Sequence, residues 1–341
     1  AAALEIFKKS NTKTYSGANA EKDAKMDFEK AKREGAQAGI ADTIKDCKTA
    51  GKTDCEAASR AALSEALGLD DSEKDTDKFK IKYERYKEES AAKAATDALK
   101  ASVKAMTDAT DEKIKTEAEK YLEESLGLAA NYDMPAIERE KHLSKMGERE
   151  AASELDACIS VAETSDDKKA CLVTARTAAS TAMGRKDPIS ELEFQSKVLA
   201  NANKERAAKV VAEAGAAELS KEERIKAVKD AIQKLNPDKT ISDTKARRFI
   251  EQGAVSAVKD AFEAVDKVST SQMTAAQKDD LLKDAIAEAT GKSVSTLKRK
   301  DVQKYRKEAA VDKLSSTFSE CTGAGVADCM ADAKAALKKS L

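Results

Sequence analysis

Tryptophan is absent from this chain of 341 residues, and aromatic side chains make up only 4% of it. Proline occurs three times, at Pro135, Pro188 and Pro237, and histidine once, at His142. No charge sign dominates, since 61 Lys and Arg face 62 Asp and Glu for a formal net charge of −1. No run approaches the ~20 apolar residues that carry a helix across a bilayer. These shortages exclude several classes. A dedicated nucleic-acid binder shows a basic excess or a basic face, whereas here both signs are interspersed. Short basic clusters such as Arg247-Arg248 and Lys298-Arg299-Lys300 read as solvated helix ends.

Catalytic and cofactor signatures are missing too. No GxxxxGK[ST] or GxGxxG phosphate loop and no GxSxG elbow occurs, so no cofactor is expected. The single His142 falls in the connection between the second and third repeats described below, with no Cys or Ser nucleophile motif beside it. The acidic pairs Asp70-Asp71, Asp166-Asp167 and Asp279-Asp280, like Glu222-Glu223, do not spell a calcium loop. They suit helix starts, where carboxylates meet the positive end of the helix dipole. Neither a metal site nor catalysis is expected. The first residues, 1–4, have neither a basic nor a long apolar region of the kind found in signal peptides, and the absence of an initiator Met suggests a piece of a longer protein.

What the chain has in quantity is alanine and charge: 41% of residues are hydrophobic and 36% charged. Ala, Glu, Lys and Leu are the strong helix formers. A core made largely of alanine is thin, with helices in close approach.

An internal repeat organises these residues. Residues 55–68, 114–127, 171–184, 223–236 and 278–291 align without gaps over fourteen positions, each an apolar-striped helix ending in Gly68, Gly127, Gly184, Asn236 or Gly291. The terminators lie 59, 57, 52 and 55 residues apart. Gly or Asn there fits a left-handed helix C-cap. A second helix precedes each, opening with Glu-x-Ala or a close variant at Glu34, Glu89, Glu150, Glu205, Glu251 and Glu308. An aromatic sits near its start, at Phe28, Phe79, Phe194, Phe249 or Tyr305, and is expected to plug the core between neighbouring repeats. Polar connections such as those at Ser72 and Thr240 offer cap chemistry for the next helix.

The expected fold is therefore all-α: about six two-helix repeats of roughly 51–59 residues, stacked as a solenoid or an elongated bundle because one hairpin cannot bury its own stripe. The boundaries are 12–68, 69–127, 128–184, 185–236, 237–291 and 292–341, with 1–11 the end of a preceding repeat. Open superhelix and closed bundle both satisfy the pattern.

Six cysteines bracket the turns of three repeats, as Cys47 and Cys55, Cys158 and Cys171, and Cys321 and Cys329, separated by 8, 13 and 8 residues. The second of each pair opens the aligned helix, a slot filled by Ile114, Glu223 and Lys278 elsewhere. Fifteen pairings are possible in principle, and the repeat selects 47–55, 158–171 and 321–329. Two thiols per site do not make a structural zinc site. As disulfides, the pairs would place the protein in an oxidising setting.

The succession of Cys-x7-Cys, an Ala-rich helix, Leu-Gly, a Ser/Asp-rich connection and Phe or Tyr opening the next Ala-rich helix resembles the alanine-rich, paired-cysteine helical repeats in proteins of large algal DNA viruses. The resemblance covers nearly the whole chain, although the second, fourth and fifth repeats lack the cysteines. It implies a non-enzymatic virion or virus-associated component and transfers no catalytic residue. The expected function is a structural or interaction array that spaces, coats or cross-links. Its partners would be other protein subunits, either copies of itself or coat proteins. A nucleic-acid packaging scaffold is the alternative, and an enzyme built on the array comes third.

Overall fold

A computed structural model describes residues 2–10, 13–16, 20–52, 55–69, 73, 76–106, 108–128, 132–237, 239–268, 274–323 and 329–340. All regular structure among them is helical. A first short helix, α1 (Ala2–Ser10), lies against α2 (Ala20–Thr49), with Phe7 and Phe28 edge to face at 5.5 Å. Long and short helices then alternate: α3 (Cys55–Leu67), α4 (Asp77–Ala105), α5 (Asp111–Leu126), α6 (Ala136–Ile159) and α7 (Ser165–Ala182). The fourth long helix comprises α8 (Glu191–Glu193), a π turn over Phe194–Val198 and α9 (Leu199–Ala216). It is followed by α10 (Lys221–Leu235), α11 (Asp243–Val268), α12 (Ala275–Thr290), α13 (Arg299–Gly323) and α14 (Cys329–Ser340).

Local chemistry sets the ends of these helices. Thr164, Ser220 and Thr274 form reciprocal capping boxes with Asp167, Glu223 and Gln277, each satisfying backbone N–H groups that a helix start leaves free. The cap of α4 is Thr76, whose hydroxyl accepts from the Phe79 N–H, and Ser72 lies outside the described residues. Ahead of α11 it is Ser242, not Thr240, whose hydroxyl accepts from the Lys245 N–H. At the far ends, Gly68, Gly127, Gly184 and Gly291 take left-handed φ between 65° and 77°, which only glycine adopts cheaply.

Asn236 departs from the expected pattern: its φ is −130° and its ψ 65°. Pro237 follows it, and a residue before proline is pushed towards extended backbone. The Asn236 amide instead donates to Asn203 Oδ1 and to the Ile232 carbonyl, both at 2.9 Å.

Each long helix packs on the short helix that follows it, and the hairpins lie side by side. Two small apolar clusters bring Ile81 against Val265 and Met26 against Ala214, while the five larger ones straddle the seams between hairpins. One joins Ile40, Ile44 and Leu63 of the first hairpin to Phe79 and Tyr83 of the second. Another joins Leu99, Ile114 and Leu122 to Leu143 and Met146. A third joins Leu155, Cys171 and Ala175 to Phe194 and Val198. The last two join the α9–α10 pair to Ile241 and Ala246, and the α11–α12 pair to Tyr305 and Ala309. Phe79, Phe194 and Tyr305 are buried in these seams, and Phe249 packs against its seam while half-exposed. Close approach substitutes for bulk where side chains are small. A Cβ at Gly253 of α11 would stand 2.8 Å from the Lys204 carbonyl of α9.

A second set of contacts links every third hairpin: α2 packs on α9, α4 on α11 and α6 on α13. The six long helices therefore form two layers, α2–α4–α6 and α9–α11–α13, joined where α6 meets α9. The Glu-x-Ala glutamates do not share one environment within this arrangement. Glu150 is buried, Glu89 and Glu205 are half-buried between the layers, and Glu34, Glu251 and Glu308 are exposed.

Candidate functional site: cysteine turns and a charged interior

The hairpin turns bring the six cysteines together as three pairs at disulfide distance. Cα–Cα separations are 5.6 Å for Cys47 and Cys55, 5.6 Å for Cys158 and Cys171, and 5.4 Å for Cys321 and Cys329, inside the span that an S–S link bridges. Each pair clamps the end of a long helix to the start of its short partner. Gly323 closes α13, and residues 324–328 lie outside the described ones.

His142 is not in a connection. It lies in the first turns of α6, which starts directly after Pro135, since proline suits a helix entry. Its ring is 1% exposed and packs beside Leu143 and Met146 on the buried face of the helix. Burial depresses its basicity, against the pull of Glu138 one turn back. It lines neither of the two charged cavities described below. Asp167 and Glu223 serve as helix-start caps, whereas Asp279 lies beyond the first turn of α12 and meets Arg306 at 3.4 Å. Asp70 and Asp71 are outside the described residues. No group of three or more His, Cys, Asp or Glu among the described residues is arranged to hold a metal ion.

Sequence patterning missed the space between the two layers. A cavity of about 340 Å³ is lined from α4, α6, α9, α11 and α13, almost wholly by charged and hydroxyl side chains. A neighbouring cavity of about 400 Å³ lies between α2, α4, α6, α9 and α10. Glu148, Arg149 and Glu205 line both and form the partition.

Ion pairs fill this interior. Glu88 meets Lys267 at 2.7 Å, Lys145 at 3.2 Å and Lys141 at 3.9 Å. Burial opposes its charge, yet the three lysines hold the carboxyl well below the usual range. Glu205 and Glu263 behave alike: burial works against ionisation, but Lys209 with Arg149, and Lys141 with Lys145, bring each down to about 2. Arg149 reaches Glu89 at 3.5 Å and donates to the Glu89 carbonyl, tying α6 to α4. Asp312 of α13 takes Lys259 at 3.1 Å and Lys204 at 3.7 Å.

Glu148 is the exception. Among the described residues it makes no ion pair; its Oε1 accepts from the Asn201 amide at 2.8 Å. Burial raises it to about 7, with Asn201 working the other way. Such a group can exchange a proton near neutrality. The cavity beside it offers serines but no thiol or imidazole.

A signal for this interior was present but hidden. The charges sit on the same turns as the buried alanines, as in Glu88-Glu89-Ser90-Ala91-Ala92, and a helix in contact with three others has no purely solvent face. No known protein family, curated protein or solved structure matches this chain.

Proposed function

We propose that this chain is a non-enzymatic structural and interaction protein, a clamped helical stack that spaces or cross-links other subunits in a virion or a similar oxidising, extracellular-type setting. The observation that carries the reading is the way the interior charges are used. Lys and Arg of one layer neutralise Asp and Glu of the other, as Arg33 with Glu213, Arg85 with Glu288, Lys141 with Glu263, Lys145 with Asp260 and Lys267 with Glu88, so the charges serve cohesion between layers. Cysteine pairs at three hairpin turns support the same reading. Each would add about 2–3 kcal/mol as a disulfide by the loop-entropy account.

The test is peptide mapping without reduction, after alkylating free thiols. The expected result is three links within hairpins, 47–55, 158–171 and 321–329. Six alkylated thiols would remove the oxidising setting and favour an intracellular scaffold. One observation favours the nucleic-acid reading: Arg247, Arg248, Arg299 and Lys300 are all exposed on the second layer. That reading requires binding to duplex DNA or RNA that falls steeply with salt.

A further inference from the structure

The contact between layers repeats, and its rule identifies what each end of the stack leaves unmatched. In the first two hairpins the first half of the long helix meets the hairpin three places further on. Lys22 pairs with Glu223, Arg33 with Glu213, Lys78 with Asp284 and Arg85 with Glu288. The base lies on the first layer and the acid on the second in each of these pairs. An apolar contact accompanies them: Met26, two residues before Phe28, packs on Ala214, Ala217 and Leu219.

The second layer carries a first-half feature of the same kind. Arg247, four residues before Glu251, holds the slot of Arg85, four before Glu89; it is exposed and makes no ion pair among the described residues. Leu192, in the first turn of the fourth long helix, is 78% exposed. The first layer carries the receiving acids. Glu288 stands three residues before its terminator Gly291, and Glu65 and Glu124 stand three before Gly68 and Gly127. Glu65 and Glu124 are both exposed, and neither makes an ion pair among the described residues.

We propose that these two ends are complementary and that a second copy of the chain docks head to tail, its Glu65 and Glu124 edge seated on the Leu192 and Arg247 edge of the first. The copy takes the place of a third layer, so Arg247 meets Glu124 of the next molecule as Arg85 meets Glu288 within one. Such a contact is heterologous and does not close, so it propagates as a linear assembly. The inference builds on the structural reading above, but its failure would leave that reading intact: thiol mapping reports the clamps, and association is measured separately.

Sedimentation velocity across a concentration series, at low and high salt, tests it. The expected result is a sedimentation coefficient that climbs with concentration at low salt and falls back to the single-chain value at high salt. Arg247→Glu and Glu124→Lys are surface changes; each alone should suppress the climb with the helical circular dichroism unchanged. Mixing the two variants should restore it, because the reversed charges face each other. A single-chain value up to ~1 mM at low salt, or variants that associate like the parent, overturns the proposal.

Discussion

The seams between neighbouring hairpins and the space between the two layers are built from different materials. A seam such as that around Phe194, Val198 and Leu155 is apolar and fully buried. The interlayer space is mostly polar, with Glu88 among three lysines and two smaller apolar patches, Met26 on Ala214 and Ile81 on Val265. The apolar seam gains from removing surface from water, at about 25 cal/mol per Å². Ion pairs gain little net, because desolvation offsets attraction, but an unmatched member is costly. Neighbours therefore hold by burial, and layers register by charge.

The seams should break first. Phe194→Ala leaves a cavity in a site 1% exposed, and a loss of about 3–5 kcal/mol is expected in urea unfolding. Next comes Glu88→Gln, which strips the shared partner from Lys141, Lys145 and Lys267. Partial access to cavity water moderates the cost to about 2–3 kcal/mol, seen as a lowered melting temperature at pH 7.

The pH dependence sharpens the contrast. Glu88, Glu205 and Glu263 are depressed in the folded chain. Their contribution is present above the ordinary unfolded value of about 4.3 and is lost as pH falls towards 2. Glu148 runs the other way. Raised to about 7, it contributes most below the unfolded value, and that contribution is lost as pH rises through 7. Glu148→Gln should therefore stabilise by roughly 1–2 kcal/mol at pH 8 and change nothing at pH 4, as parallel melts at the two pH values would report. The smallest effect belongs to the exposed pair of Lys25 with Glu21 at 3.4 Å. Glu21→Gln should cost less than about 0.5 kcal/mol and be lost in salt.

The hairpins and their seams were legible because they rest on local rules. Apolar stripes at helical spacing, glycine stops and aromatics such as Phe79 and Phe194 each act within one repeat and its neighbour. The register of the cysteines followed from the same alignment. Asn236 broke the stop rule because Pro237 overrides it, a reason visible one residue away. The layering was not legible. Contact between hairpins three apart depends on the small rotation that each unit adds to the next, which no residue encodes alone. Its markers, such as Arg85 and Lys145, look on one helix like ordinary solvated charges. His142 was misplaced because α6 starts well before its Glu-x-Ala motif.

Urea unfolding of the parent, Phe194→Ala and Glu88→Gln at about 0.05 M and 1 M sodium chloride tests the division of roles most directly, since salt screens charge far more than burial. The loss from Glu88→Gln should shrink at high salt while that from Phe194→Ala stays the same. Equal salt dependence in both variants, or none in either, would contradict layers held in register by charge and neighbours held by burial.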